Sequence, residues 1–431
     1  MADEWSKFVN DSRIKCKYGD KCYQKNPEHH KTYKHPPAAH ENKIKHDRNK
    51  NSRMKPYQKP DRPANKITES QESELISPGD STASTTEPLK TNINKDIYET
   101  DTRADNQETN KPRENTEVII DQNTQFYDKT DSNKTYKDLF LVEMPQDFFQ
   151  FYKCLSEEKS IDQLLKTVNL QLIGPYDLLT GKLPITENKD LYLIHWRFFY
   201  DPPEFQAVLK KKGKSEYHIG YYRDDPCSDP KFLASNDSAK DYHIQPLSDN
   251  IFGAVYSFLK NEKKSSPFLS MPCQKLMEKV SKWASEYNYT LDEYTMKMRS
   301  PVARTLHGAG IVVPFDKKTQ IGYRPLAESN ASLKKMFAKL ESAKSQIEKD
   351  EVLSQIQPVI TYASIAVDEC DFGTGLELGI NLFCSGIKEL ESSAASSLCS
   401  AYSLLNRDTF NKIVQAHLKN RRKGPDMSIF K

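Results

Sequence analysis

The run Val359-Ile360-Thr361-Tyr362-Ala363-Ser364-Ile365-Ala366-Val367 leads directly into Asp368-Glu369-Cys370-Asp371-Phe372-Gly373-Thr374-Gly375-Leu376-Glu377-Leu378-Gly379. The first nine residues have the apolar content of a helix. Three carboxylates, at 368, 369 and 371, then meet three glycines, at 373, 375 and 379. Glycine just past a periodic run reads as a helix C-cap. Asp368, Glu369 and Asp371 are therefore expected where a helix stops and the chain turns. The helix macrodipole is negative at that end and disfavours acids, so stability alone would place Lys or Arg there. A broken local rule of this kind marks a candidate functional site. Glu377 reads as a solvated or capping residue.

Working outward, helical spacing recurs on both sides. Leu333, Met336, Phe337 and Leu340 share one face, and further helices are expected over about 376–384, 387–405 and 408–420. Upstream, Thr305–Pro314 reads as a strand hinged at Gly308 and Gly310, followed by a turn and by Ile321-Gly322-Tyr323-Arg324. Pro145 reads as the entry to a helix over Asp147–Tyr152, and Ser160-x-x-Gln163 as a capping box. Leu191–Tyr200 is aromatic-rich and reads as a strand stopped by Asp201-Pro202-Pro203; His218–Arg223 reads as a second. His195 lies inside the first, as a strand residue with a structural partner. Helices return over 250–259 and 274–287, where Leu276, Val280, Trp283 and Ala284 form an apolar face. The predicted fold class is α+β. A mixed sheet-and-helix part over 118–300 packs on a mainly helical part over 301–425.

Residues 37–117 read as a disordered linker: no Phe or Trp occurs between Phe8 and Phe126, so little surface can be buried to offset the ordering entropy. Its first half is basic from Lys43 to Arg62 and reads as a nuclear-import or nucleic-acid patch. Lys419-Asn420-Arg421-Arg422-Lys423 reads as a second import signal or as charge favouring a helix C-terminus. The net charge of +3 does not by itself imply nucleic-acid binding. No apolar run approaches the roughly 20 residues of a membrane span, and the N-terminus lacks the apolar core of a signal peptide. Eight cysteines in a chain of 431 residues do not form a disulfide framework.

Residues 13–36 carry Cys16-x5-Cys22-x6-His29-x5-His35. Two thiolates and two imidazoles fill a tetrahedral structural zinc site, and so short a segment needs the metal's binding free energy to fold. His30 is an alternative ligand; the spacing prefers His29. The segment resembles the poly(ADP-ribose)-binding zinc finger. That resemblance implies polymer contacts at Tyr18, Tyr23 and Gln24, a position where the family usually carries Arg. Aromatic faces stack bases, and Lys15, Lys17, Lys21 and Lys25 surround them with positive charge.

Four further segments resemble the histone PARylation factor 1 family over about residues 135–420: Leu172–Asp177, His195–Phe205, His307–Gly310 and Asp368–Gly379. The family is an accessory factor of DNA-damage-activated poly(ADP-ribose) polymerases; it binds their catalytic domain and redirects ADP-ribosylation to serine. The resemblance implies Glu369 as the catalytic glutamate with Asp368 beside it, and Tyr323 and Arg324 as polymerase-binding residues. It also implies histones and the polymerase as targets, NAD bound by the partner rather than by this chain, and a location in the nucleus at damaged chromatin. Asp368 and Asp371 are expected to tune Glu369 and attract basic segments. The rival expectation is a non-catalytic poly(ADP-ribose)-binding adaptor or inhibitor. The sequence contains no Gly-rich phosphate cradle, Walker sequence or hydrolase elbow, which argues against an enzyme acting alone.

Overall fold

The computed structural model describes residues 10–16, 27–35, 117–296 and 299–431. The chain divides into two units, Met1–Arg103 and Ala104–Lys431. The linker read over 37–117 lies outside the described residues except for Glu117.

In the first unit, β1 (Ile14–Lys15) and β2 (Tyr33–Lys34) pair in parallel, and the short helix α1 (Pro27–Thr32) leads into β2. Cys16 N–H donates to Lys34 O at 3.0 Å, which fixes the thiol beside the helix.

The second unit is α+β, as the sequence predicts. Helices α2 (Asn133–Phe140), α3 (Gln146–Ser156) and α4 (Ile161–Lys166) precede β3 (Leu170–Leu172), α5 (Tyr176–Thr180) and α6 (Asp190–Ile194). A meander follows: β4 (Phe205–Lys211), β5 (Tyr217–Tyr222), β6 (Phe232–Asp237) and β7 (Gln245–Ser248). The five strands β3 to β7 form one antiparallel sheet in sequential order. Helices α7 (Ile251–Ser265) and α8 (Ser270–Glu286) complete this part. Pro145 and Ser160 stand at the helix entries expected of them, and the Ser160 hydroxyl accepts from Gln163 N–H. Of the face read on 274–287, Leu276, Val280 and Ala284 are buried. An aromatic core, with Phe148 stacked on Tyr176 at 4.0 Å between ring centroids, fills the space under the sheet.

The helical part comprises α9 (Asn330–Ser342), α10 (Gln346–Asp368), α11 (Phe372–Ser385), α12 (Glu391–Leu404) and α13 (Asp408–Lys419). It is tied to the sheet part by buried polar contacts. Tyr402 OH donates to Glu204 Oε1 at 2.8 Å, and Arg421 Nε to Phe199 O at 2.7 Å.

Two expectations are corrected and a third is narrowed. Residues 191–200 are not a strand: α6 ends at Ile194, and Trp196 has φ 55°. A continuous apolar run reports burial, not extension, and Asp201-Pro202-Pro203 precedes a strand, β4, rather than ending one. His195 does have a structural partner, since its Nε2 lies 2.8 Å from Asp177 Oδ2. Thr305–Pro314 forms no strand beyond the single bridge Ala303–Ile311. Its Gly308 and Gly310 turn at φ 86° and 72°. The turn is satisfied by side chains instead of a ladder. Arg299 donates to the carbonyls of Ala309 and Gly310, while Asp224 holds the guanidinium. In the Lys419–Lys423 stretch the two arginines are engaged in the fold, whereas Lys419, in the last turn of α13, and Lys423 are exposed, which fits the reading of charge near a helix C-terminus. Arg421 is buried between the rings of Phe199 and Phe383, 3.9 and 4.1 Å away, and Arg422 donates to Met427 O and Ser428 O.

The glycines after Asp371 do not cap a helix. Every residue from Gly373 to Cys384 in α11 is buried, and a helix buried all round needs small residues where neighbours approach. A Cβ on Gly379 would lie 2.8 Å from the Leu398 side chain and 3.0 Å from its backbone N. Gly379→Ala gains about 1 kcal/mol of helix propensity but forces α11 off α12. Overpacking costs roughly 1–3 kcal/mol, so thermal unfolding is expected at lower temperature than for the parent chain.

Candidate functional site

The helix α10 opens with a capping box, Ser345 with Glu348, and closes at Glu369, whose N–H donates to Ile365 O at 3.0 Å. Cys370 takes the left-handed turn, with φ 73°. This residue, not a glycine, reverses the chain into α11. Asp368 and Glu369 thus stand exposed at the corner, as expected.

The segment Gly322-Tyr323-Arg324 lies against the first turns of α11. Gly322 N–H donates to Asp371 Oδ1 at 2.9 Å, and Gly373 N–H to Gly322 O at 2.9 Å. A Cβ on Gly373 would sit 2.9 Å from that same carbonyl oxygen, so only glycine permits this approach. Arg324 N–H donates to Thr374 Oγ1 at 3.0 Å, and the Thr374 hydroxyl donates to Arg324 O at 2.7 Å. Tyr323 OH donates to Glu377 Oε2 at 3.1 Å.

Arg324 then reaches the acidic corner. Its Nη1 lies 2.6 Å from Glu369 Oε2 and its Nε 3.4 Å from Asp371 Oδ2. Its guanidinium also sits 5.3 Å from the ring centroid of Tyr362, one of the α10 residues. The Glu369 side chain remains 56% exposed, so the pair leaves it open to a second molecule. On the other side of the corner Asp368 borders a groove of about 270 Å³ between α10 and α12, lined also by Val367, Gly375, Ser393 and Ser397.

Two sequence readings change here. Asp371 is buried and holds Gly322, so it does not attract basic segments. Glu377 is neither solvated nor a cap: it is 6% exposed, and burial pushes its carboxyl up to about 7, against the lowering effect of the Tyr323 hydrogen bond. The sequence reading missed Thr374 and Glu377 as partners of the loop. Their signal was present: 371, 374 and 377 are polar at a spacing of three from the N-cap of α11 into its first half, among glycines and apolar residues.

The titration of Glu377 has a definite consequence. Its folded value of about 7 lies above the ordinary 4.5. The stability tied to its neutral form is therefore complete below pH 4.5 and lost as pH rises through 7. Glu377→Gln cannot ionise. It is expected to match the parent at pH 4.5 and to exceed it by up to roughly 3 kcal/mol at pH 8, read by urea unfolding at both pH values.

In the first unit, Cys16, His29 and His35 bring one ligand atom each within 4.8 Å of one another. Cys16 Sγ lies 3.5 Å from His29 Nε2, and His29 Nε2 lies 3.2 Å from His35 Nε2. Tetrahedral zinc with bonds of 2.0–2.3 Å separates its ligands by roughly 3.3–3.8 Å, so the donor set fits. His29, the ligand preferred by spacing, is the histidine that joins the cluster. Cys22, expected as the fourth ligand, and Tyr18, Tyr23, Gln24 and Lys25, expected to contact the polymer, lie outside the described residues.

Comparison with known proteins gives the family. The family model described as histone PARylation factor 1 matches residues 131–421, and that of the PBZ domain matches residues 13–38. Histone PARylation factor 1 of Bos taurus is 38% identical over 306 residues, covering 68% of this chain and 87% of its own length. The Danio rerio protein of that name is 40% identical over 292 residues, covering 66% and 84%. The chain belongs to the histone PARylation factor 1 family. Its PBZ finger lies N-terminal to the family region and carries the Cys/His cluster. In this member the family region contains all of α9 to α13, and with them the corner that exposes Glu369.

Proposed function

We propose that this chain docks on the catalytic domain of a DNA-damage-activated poly(ADP-ribose) polymerase and completes a joint active site. There Glu369 acts as the base that makes serine the ADP-ribose acceptor. The observation that carries this reading is the exposed Glu369 carboxylate, fixed at the end of a 23-residue helix, α10, and touched by Arg324. A serine hydroxyl is a weak nucleophile and must lose its proton as it attacks. Glu369 takes that proton while the serine oxygen bonds to the anomeric carbon of the NAD held by the partner, and nicotinamide leaves. A carboxylate acceptor is already ionised near neutral pH and needs no such base, so supplying one shifts the acceptor preference to serine.

Arg324 and Tyr323 anchor docking, as Arg and Tyr do at interfaces. Arg324 cannot bind the partner and hold Glu369 with the same donors, so docking competes with the Arg324–Glu369 pair. Asp368, beside the base, favours acceptor segments that carry positive charge. The finger brings the chain to poly(ADP-ribose) through Tyr18, Tyr23, Gln24 and Lys25, with zinc held by Cys16, Cys22, His29 and His35. The setting is the nucleus, at damaged chromatin, with histones and the polymerase as targets. Residues 37–117 act as the tether between finger and body, the 118–300 part as scaffold and the 301–425 part as the docking and catalytic region.

The test is site-resolved mass spectrometry of histone peptides incubated with polymerase, DNA and NAD, with the parent chain or Glu369→Ala, and with binding to the polymerase measured alongside. Serine modification that persists in the variant at equal binding favours the adaptor reading instead.

A further inference from the structure

We propose that Glu377 is a positioning residue for docking: the buried carboxylate holds the Tyr323 ring in the orientation that presents Tyr323 and Arg324 to the polymerase. The inference rests on the docking reading above. Asp371, at the N-cap of α11, and Thr374 and Glu377 within it hold three consecutive loop residues. Two of the three grip backbone: Asp371 takes Gly322 N–H, and Thr374 both accepts from and donates to the backbone of Arg324. Glu377 grips the ring hydroxyl of one docking residue, and Asp371 also reaches the side chain of the other, its Oδ2 3.4 Å from Arg324 Nε.

The carboxylate has no other use in the described residues. It lies inside a helix buried all round, and Tyr323 OH is the hydrogen-bond donor it meets. A buried acid is costly, and an apolar residue of similar volume would serve packing alone. Its presence is explained if the hydroxyl of Tyr323 must be pinned from beneath. Tyr323 is half-buried, with Phe315 edge-on at 6.4 Å between centroids. One face of the ring is therefore supported from within, and the neighbouring Arg324 is set over Tyr362. A ring held in this way loses less freedom on binding. Without the acceptor, the hydroxyl would be left against apolar α11 and the ring would turn outward to reach water.

The test measures the dissociation constant of the full chain for the isolated polymerase catalytic domain by titration calorimetry. Glu377→Leu removes the acceptor and Tyr323→Phe removes the donor. Each is expected to weaken docking about tenfold. The double variant is expected to be no weaker than either single one, because both remove the same bond. Glu377→Gln keeps an acceptor oxygen and is expected to bind within about twofold of the parent, a rescue that a general loss of stability would not give. Additive losses in the double variant overturn the proposal, as does parent-like docking by Glu377→Leu while Arg324→Ala is impaired. Parent-like docking by Arg324→Ala overturns the docking reading, and this inference with it. If Glu377→Leu does not fold, Tyr323→Phe against Glu377→Gln decides: loss in the first with retention in the second supports the pin, and any other pattern overturns it.

Discussion

Glu369→Ala is expected to lower serine ADP-ribosylation by roughly 10²–10⁴-fold while leaving the body folded and docking at least as tight as in the parent chain. The size follows from the role. A positioned base is worth that factor when the nucleophile is a neutral hydroxyl, and a mutation that removes it acts on the chemical step alone. The fold has little to lose. The side chain is 56% exposed and, among the described residues, its ion pair is to an Arg324 that is itself 29% exposed, and surface pairs contribute little to stability. Docking is expected to hold or tighten, because Arg324 is released from a 2.6 Å contact that competes with the partner. Glu369→Gln separates charge from shape. It keeps the side-chain volume and a hydrogen bond to Arg324, yet has no basicity, and is expected to be as defective as the alanine variant. Serine modification by the glutamine variant near the parental rate would remove Glu369 as base and leave it an Arg324 partner. Turnover, binding and thermal unfolding on the same three proteins distinguish these outcomes.

The acidic corner was legible because it breaks a rule. Asp368 and Glu369 at a helix end conflict with the dipole, and the structure exposes both there. What lies beneath the corner was not legible, since it depends on contacts between segments about 50 residues apart. Nothing local in Gly322-Tyr323-Arg324 says that it will rest on α11, and nothing in Gly373 says that a carbonyl will arrive within 2.9 Å of its Cβ position. The glycines were therefore read as a cap, when close packing of a buried helix is what requires them. The same limit explains the sheet. Only β5 was read as a strand; β4 and β6 are buried along nearly their whole length and do not alternate polar with apolar residues, so the period-two signal is missing. The aromatic run at 191–200, which looked most like a strand, folds into α6 and a turn, because burial rather than extension selected its residues. Amphipathic helices were easier: α8 and α9 stand where their periodicity put them, while α10 extends the nine residues read before Asp368 back to Gln346.

Removing metal from the N-terminal finger, by chelation or by Cys16→Ala, is expected to unfold residues 13–38 and abolish poly(ADP-ribose) binding, with the unfolding temperature of the body unchanged. Among its described residues the finger has little else to hold it folded. Apart from Cys16, the described part of the finger contributes no residue to the buried hydrophobic core, and its sheet is two residues long in each strand. One pair of two-residue strands and one short helix cannot offset the ordering entropy of such a segment. Four zinc ligands can: metal binding to fingers of this size supplies about 10–16 kcal/mol at neutral pH, and Cys16, His29 and His35 already converge to within 4.8 Å. The core of the body is built from residue 136 onward, so it has no share in that free energy. Replacing zinc with cobalt(II) in the full chain provides a direct readout. A tetrahedral absorption spectrum with thiolate charge transfer is expected at one equivalent, weakened in Cys22→Ser and lost in Cys16→Ala. Polymer binding should fall in the same order. Binding that survives chelation would detach polymer recognition from the metal and move it to the basic residues between Lys43 and Arg62. Steep loss of that residual binding with added salt would be its signature, because contacts made by charge alone are screened.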